Sequence, residues 1–276
     1  MIQPESGIIR EPHIHFHDVT KELVDQCDAR EAEKIVVGLI AERARVKEGG
    51  IILSWSEFNE NPDPLVNRLL AKILVAQIDP KFLEGVTAAE IAVLSIENSA
   101  GYLASEVTHE LARQLKLSKP PRIIRARKAE GGKKPSPAMG GHTAWVDVHP
   151  ITSGGQPRTL VASMADTDDL KNIKVLIPVD DFRATGSSLN GGVNLGLGLL
   201  EQAGVDISTI LVLPMAGLGK PEQERAIHSS NHRAFTVMTA VNVHFWADRD
   251  LGHALVQANG FPPHIMHNAS VADFSS

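Results

Sequence analysis

Apolar positions in this chain follow two periods, and the two alternate along it. Within residues 20–48, Ile35, Val36, Leu39 and Ile40 form the apolar stripe of a helix, with Asp28 as its N-cap and Glu31 in the capping-box position. Gly49-Gly50 is expected to end that helix. Residues 50–55 then read as a short strand and 64–76 as a second helix. From about residue 90 the alternation becomes regular. Compact apolar runs at 91–96, 122–127, 175–179 and 209–215 have the length of buried strands. Helical spacing fills 101–116, with Leu103, Val107, Leu111 and Leu115 on one face, and then 188–204. Residues 145–148 and 159–164 are expected to pair as strands, and 235–243 to supply a late one. Residues 130–141 form a loop rich in Gly, Lys, Pro and Ser. The pattern predicts an α/β fold: a doubly wound, mainly parallel sheet with helices on both faces.

Composition narrows the function classes. The 276 residues are 43% hydrophobic and 22% charged, enough to bury a sizeable core. A formal net charge of -6 argues against nucleic acid as the partner. No uninterrupted apolar run is long enough to span a membrane, and the first residues lack the apolar core of a secretory leader. The single Cys27 excludes an internal disulfide and suits a reducing compartment. A cytoplasmic protein is expected, in which the Asn268-Ala269-Ser270 sequon has no use.

The chemistry concentrates at 175–189, VLIPVDDFRATGSSL. A buried strand leads into two adjacent carboxylates, Asp180 and Asp181. The turn Ala184-Thr185-Gly186-Ser187-Ser188 then opens a helix. Backbone N–H groups at such a turn, together with the positive end of the helix dipole, suit a phosphate. Carboxylates just before it suit sugar hydroxyls or a divalent cation. The stretch is built for a phosphorylated sugar.

In order and spacing these residues resemble the phosphoribosyl-pyrophosphate signature of type I phosphoribosyltransferases. Within that family the look is nearest to bacterial xanthine phosphoribosyltransferases and the effector domains of purine-operon repressors. Gln77-Ile78-Asp79-Pro80 and Ser95-Ile96-Glu97-Asn98-Ser99 echo further family segments in the right order. The resemblance spans roughly residues 50–245. It implies a hood over residues 1–85, a phosphoribosyltransferase core over 86–245 and a tail over 246–276, all in one compact unit.

The resemblance also implies residue roles. Ala184, Thr185, Gly186, Ser187 and Ser188 would cradle the 5′-phosphate, while Asp180 and Asp181 would bind the ribose hydroxyls and Mg²⁺. Glu97, Asn98, Ser99, Ala100 and Gly101 match the family's pyrophosphate loop, and Arg127-Lys128 its cationic pair near the same group. Lys133 and Lys134 sit in the loop that closes over the reacting centre. The implied reaction is Mg²⁺-dependent transfer of a 5-phosphoribosyl group to a nitrogenous base, with a purine as the expectation and pyrophosphate released. This is purine-salvage chemistry in a homodimer, with no nucleic acid or membrane partner. The alternative from the same resemblance is a non-catalytic regulator that senses phosphoribosyl pyrophosphate.

The chain departs from the family pattern at several positions. Pro178 removes a backbone donor inside the strand, and Arg183 replaces an apolar or small residue. Val75 stands where a purine-binding Asn precedes the Gln77–Pro80 segment, and Lys220 is displaced from the family's Glu-Lys pair. Gly217-Leu218-Gly219-Lys220 is no phosphate loop, because Pro214 and Pro221 occupy the required Gly and Ser/Thr positions. His13, His15 and His17 share one face if extended, either as transition-metal ligands or as an exposed strand face. Cys27 is expected to be buried and inert, and Trp145 and Met215 to be core or pocket walls.

Overall fold

The sheet is wound outward in both directions from two neighbouring central strands. The computed structural model describes residues 18–43, 45–46, 53–54, 63–96, 100–129, 142–148, 158–164, 170–183, 187–207, 209–217, 236–237 and 241–242. Its N-terminal elements are α1 (Lys21–Gln26), α2 (Ala29–Arg43), β1 (Arg45–Val46), β2 (Leu53–Ser54) and α3 (Pro64–Ala76). Then come β3 (Ile91–Ile96), α4 (Ala100–Gln114), β4 (Arg122–Lys128), β5 (His142–Val148) and β6 (Arg158–Met164). The last are β7 (Val175–Arg183), α5 (Ser187–Gln202), β8 (Thr209–Gly217), β9 (Thr236–Val237) and β10 (Val241–Asn242).

The main sheet has the order β10-β8-β7-β3-β4-β6-β5, with β9 also on β8. Strands β10, β8, β7, β3 and β4 run parallel, and β6 and β5 extend the sheet antiparallel. The expected α/β class and mainly parallel sheet are therefore observed. β1 and β2 form a separate antiparallel ribbon.

Each face of the sheet carries its own core. Ile91, Val93, Val175, Ile177, Leu211 and Leu213 pack with α2, α3 and α4 through residues such as Leu39, Leu70, Leu74, Leu103 and Leu111. Ala92, Leu94, Ile96, Leu176, Ile210 and Val212 pack with α5 through Leu189, Val193, Leu199 and Leu200. Burying each Leu of this kind contributes roughly 1.5–3 kcal/mol. α5 approaches the sheet closely because it presents glycines there. A Cβ on Gly196 would lie 2.7 Å from Leu176 Cδ2, and one on Gly192 only 2.8 Å from Ile96 Cγ1.

Local chemistry corrects several expected boundaries. The helix expected over 20–48 is two helices, because the chain turns extended at Cys27. Thr20 caps α1, and Asp28 and Glu31 restart α2 by a reciprocal capping box, with both bonds at 2.9 Å. α2 stops at Arg43, before Gly49-Gly50, which lie outside the described residues. β7 continues to Arg183, so both acids belong to the strand instead of following it. The late strand expected over 235–243 is two short strands on the β8 side. Pro178 is accommodated in a central strand: it stands level with Leu94, while the register with β8 runs from Leu176↔Ile210 to Val179↔Leu213. Trp145 is 45% exposed and not a core wall, since Ala144 and Val146 take the buried face of β5. No helix among the described residues is long and apolar enough to cross a membrane.

Candidate functional site

The strand order defines where a ligand can enter. From β3 the chain passes through α4 to β4 on one side, and from β7 it passes through α5 to β8 on the other. β3 and β7 are neighbours, and the helices that follow them lie on opposite faces, so the winding reverses between their carboxyl ends. Parallel α/β sheets bind ligands at such a switch point. α4 and α5 lie on opposite faces of the sheet. Both helices start at this edge, so two positive helix ends converge there.

Registers place the candidate residues side by side. Val179 is level with Ser95, and Ile96 is level with Ala126. One position further, Asp180 stands at the end of β3 on one side, and Arg127 emerges from β4 on the other. The two backbones are two strand spacings apart, about 10 Å. Arg127 and Lys128 are exposed at the edge, and Arg127 is level with Val161 of the antiparallel extension. Ala100 and Gly101 form the first turn of α4, where a Cβ at 101 would meet nothing within 4 Å. Ser187 and Ser188 begin α5.

Asp180 differs from the exposed cations. It is only 4% exposed, on the same face as Leu176, and it is engaged by interactions within the chain. Asp181 is the next position of β7. Glu97, Asn98, Ser99, Lys133, Lys134, Ala184, Thr185 and Gly186 lie outside the described residues, as do His13, His15, His17 and Lys220. Val75, at the purine-binding position of the resemblance, is buried in the α3 core.

A set of charges that sequence patterning did not single out ties the N-terminal helices to the core. Lys72 of α3, only 7% exposed, donates from Nζ to the Cys27 carbonyl at 2.6 Å and so caps the end of α1. Arg68, one turn earlier, pairs with Asp25 and lies 4.0 Å from Glu106 of α4. The Arg68 and Lys21 bonds hold Asp25 below the usual carboxylate range. Burial pushes Glu106 up. Burial also acts on Glu110, but the bonds from Arg113 and Gln114 outweigh it and hold that carboxyl down. The Cys27 thiol is buried, as expected, and burial pushes its pKa up. The signal was available in the sequence: Arg68/Lys72 and Glu106/Glu110 are matching i,i+4 pairs on two helices.

The fold defines an α/β protein with a mainly parallel sheet and a topological switch point between β3 and β7. No protein-family model matches the chain, and no curated protein matches it in sequence. Among solved structures it is similar to Giardia lamblia adenine phosphoribosyltransferase complexed with 9-deazaadenine. That pair is 17% identical with a TM-score of 0.48, over 72% of this chain and 91% of the other. It is also similar to the Trypanosoma brucei enzyme in complex with AMP, pyrophosphate and ribose-5-phosphate, at 14% identity and a TM-score of 0.45 over 78% and 79%. The Leishmania tarentolae adenine phosphoribosyltransferase matches at 14% identity and a TM-score of 0.45, over 80% and 88%.

Proposed function

We propose that this chain binds phosphoribosyl pyrophosphate at the β3/β7 switch point and transfers its 5-phosphoribosyl group to a nitrogenous base of the purine type. The observation that carries this reading is that the 180–188 motif, DDFRATGSS, runs from the end of β7 into the start of α5, beside β3 at the switch point. The 5′-phosphate would take the turn at the start of α5, and the pyrophosphate the start of α4 and the Arg127-Lys128 pair. Two adjacent cations suit a leaving group with several negative charges. The base would displace pyrophosphate at the anomeric carbon. Catalysis would come from alignment and from stabilising departing charge, with no covalent intermediate on the protein. Closure of the loop carrying Lys133 and Lys134 would exclude water.

Mg²⁺ would suit this edge through hard oxygen donors, with the Asp180-Asp181 pair and the donor's own phosphates as its ligands. When bound, the ion would offset charge on the departing pyrophosphate.

The test is to incubate the protein with phosphoribosyl pyrophosphate, Mg²⁺ and a panel of purine and pyrimidine bases. Base-dependent pyrophosphate release with formation of a nucleoside monophosphate is expected. Tight donor binding with no release on any base would instead favour the sensor. No donor binding at all would refute both.

A further inference from the structure

The face of β4, β6 and β5 turned away from α5 carries three side chains in one row. Val161 of β6 is level with Arg127 of β4 on one side and with Trp145 of β5 on the other. Ala126, Ala162 and Ala144, their neighbours along the three strands, pack in the α5 core. The two-residue period of a strand therefore turns Arg127, Val161 and Trp145 to the opposite face. Among the described residues α5 is the helix that packs on β6 and β5, and it lies on the far side. Trp145 is 45% exposed, and Arg127 is exposed as well. Neither the guanidinium nor the indole has a hydrogen-bond, ion-pair or ring partner among the described residues.

A cation is attracted to an aromatic ring within about 6 Å of its centre. Arg127 and Trp145 stand two strand spacings apart, about 10 Å, and do not meet within one copy. Two copies can bring them together. In an isologous pair the same patch faces itself, and residue i meets j as j meets i. Arg127 and Trp145 flank Val161 one strand away on either side. A two-fold axis parallel to the strands and above Val161 exchanges those flanks, so each Arg127 lies over the partner's Trp145. An axis across the strands would instead set Arg127 against Arg127, which like charge disfavours.

We propose that a second copy of this chain docks on the β4-β6-β5 face through two reciprocal Arg127–Trp145 contacts. Each of the three strands has seven residues. Such a floor measures about 14 Å by 23 Å. That is below the ~800 Å² per partner of a standard interface, so the pair belongs to the weak, reversible class. A guanidinium stacked by its flat face keeps its in-plane N–H groups for an anion. Docking is therefore compatible with an anionic ligand at Arg127, and it stands whether or not the donor reading does.

The experiment is sedimentation equilibrium without ligand, from low to high micromolar protein. It compares wild type, Trp145→Leu, Arg127→Gln and an equal mixture of the two variants. Wild type is expected to dimerise reversibly within that range. Each contact is expected to contribute about tenfold, or about 1.4 kcal/mol. Either variant alone loses both contacts and should dimerise about a hundredfold more weakly. In the mixture, a heterodimer keeps one Arg127–Trp145 contact and sets Gln against Leu at the other. It should form about tenfold more tightly than either variant with itself. Each copy retains both of its own cores, so both variants stay folded, which circular dichroism checks. A monomeric wild type across the range, a dimer that either variant leaves unchanged, or a mixture no tighter than its components overturns the proposal.

Discussion

Gly192 of α5 lies against Ile96 of β3 with no room for a side chain between them: a Cβ there would fall 2.8 Å from Ile96 Cγ1. Ile96 is fully buried. This contact seats the helix that begins at the candidate phosphate turn. Replacing Gly by Ala inside a helix ordinarily gains about 1 kcal/mol of propensity. At Gly192 overpacking of about 1–3 kcal/mol opposes it. Gly192→Ala should therefore lower stability or leave it flat. Gly198→Ala should raise stability by about 0.5–1 kcal/mol, because its Cβ would meet only Ala144 Cβ at 3.8 Å. Urea denaturation of the two variants checks the sign at each position.

Glu90 sets a specific acid response. Lys174 and the Thr87 backbone and hydroxyl bond its carboxylate, and its pKa falls from 4.5 to about 2. A depressed folded pKa means stability that is present in full above the unfolded value and lost as pH falls through the folded one. The loss should run from about pH 4.5 down to about 2. Glu90→Gln should be less stable than wild type at neutral pH and approach it as the pH drops. Thermal melts across that window measure the convergence.

Lys72 caps α1 from a buried position, so its removal leaves the Cys27 carbonyl without that bond. Lys72→Met keeps the volume and should cost about 1–3 kcal/mol. The same variant should expose Cys27 to thiol reagents sooner, because the α1–α2 corner loses its anchor. Labelling rates in native buffer test this, and unchanged protection would show that apolar packing alone holds the corner.

Arg127 is exposed at the sheet edge, so Arg127→Gln should shift stability by no more than about 0.5 kcal/mol. Under the donor reading it should weaken phosphoribosyl pyrophosphate about tenfold, or about 1.4 kcal/mol. A titration that gives wild-type affinity would remove Arg127 from the site.

Period and punctuation were enough to read most elements. The apolar runs at 91–96 and 209–215 and the helical stripe through Leu103, Val107 and Leu111 became β3, β8 and α4, because the two strands are buried on both faces and the helix on one. The Asp28/Glu31 box was read correctly as a cap, but the helix assigned in front of it was not. A cap belongs at a helix start, and residues 20–27 form a separate helix that Thr20 initiates. Trp145 does not join the core, because strand alternation defines two faces without saying which is covered.

The motif DDFRATGSS suggests a phosphorylated sugar from residue types alone, since a small-residue turn after two acids suits one whatever surrounds it. Strand order could not be read that way. Only the tertiary structure set β3 beside β7, and so brought the starts of α4 and α5 to one edge from segments about ninety residues apart. It also buried Asp180, because β7 continues past it to Arg183 and still pairs with β8 there.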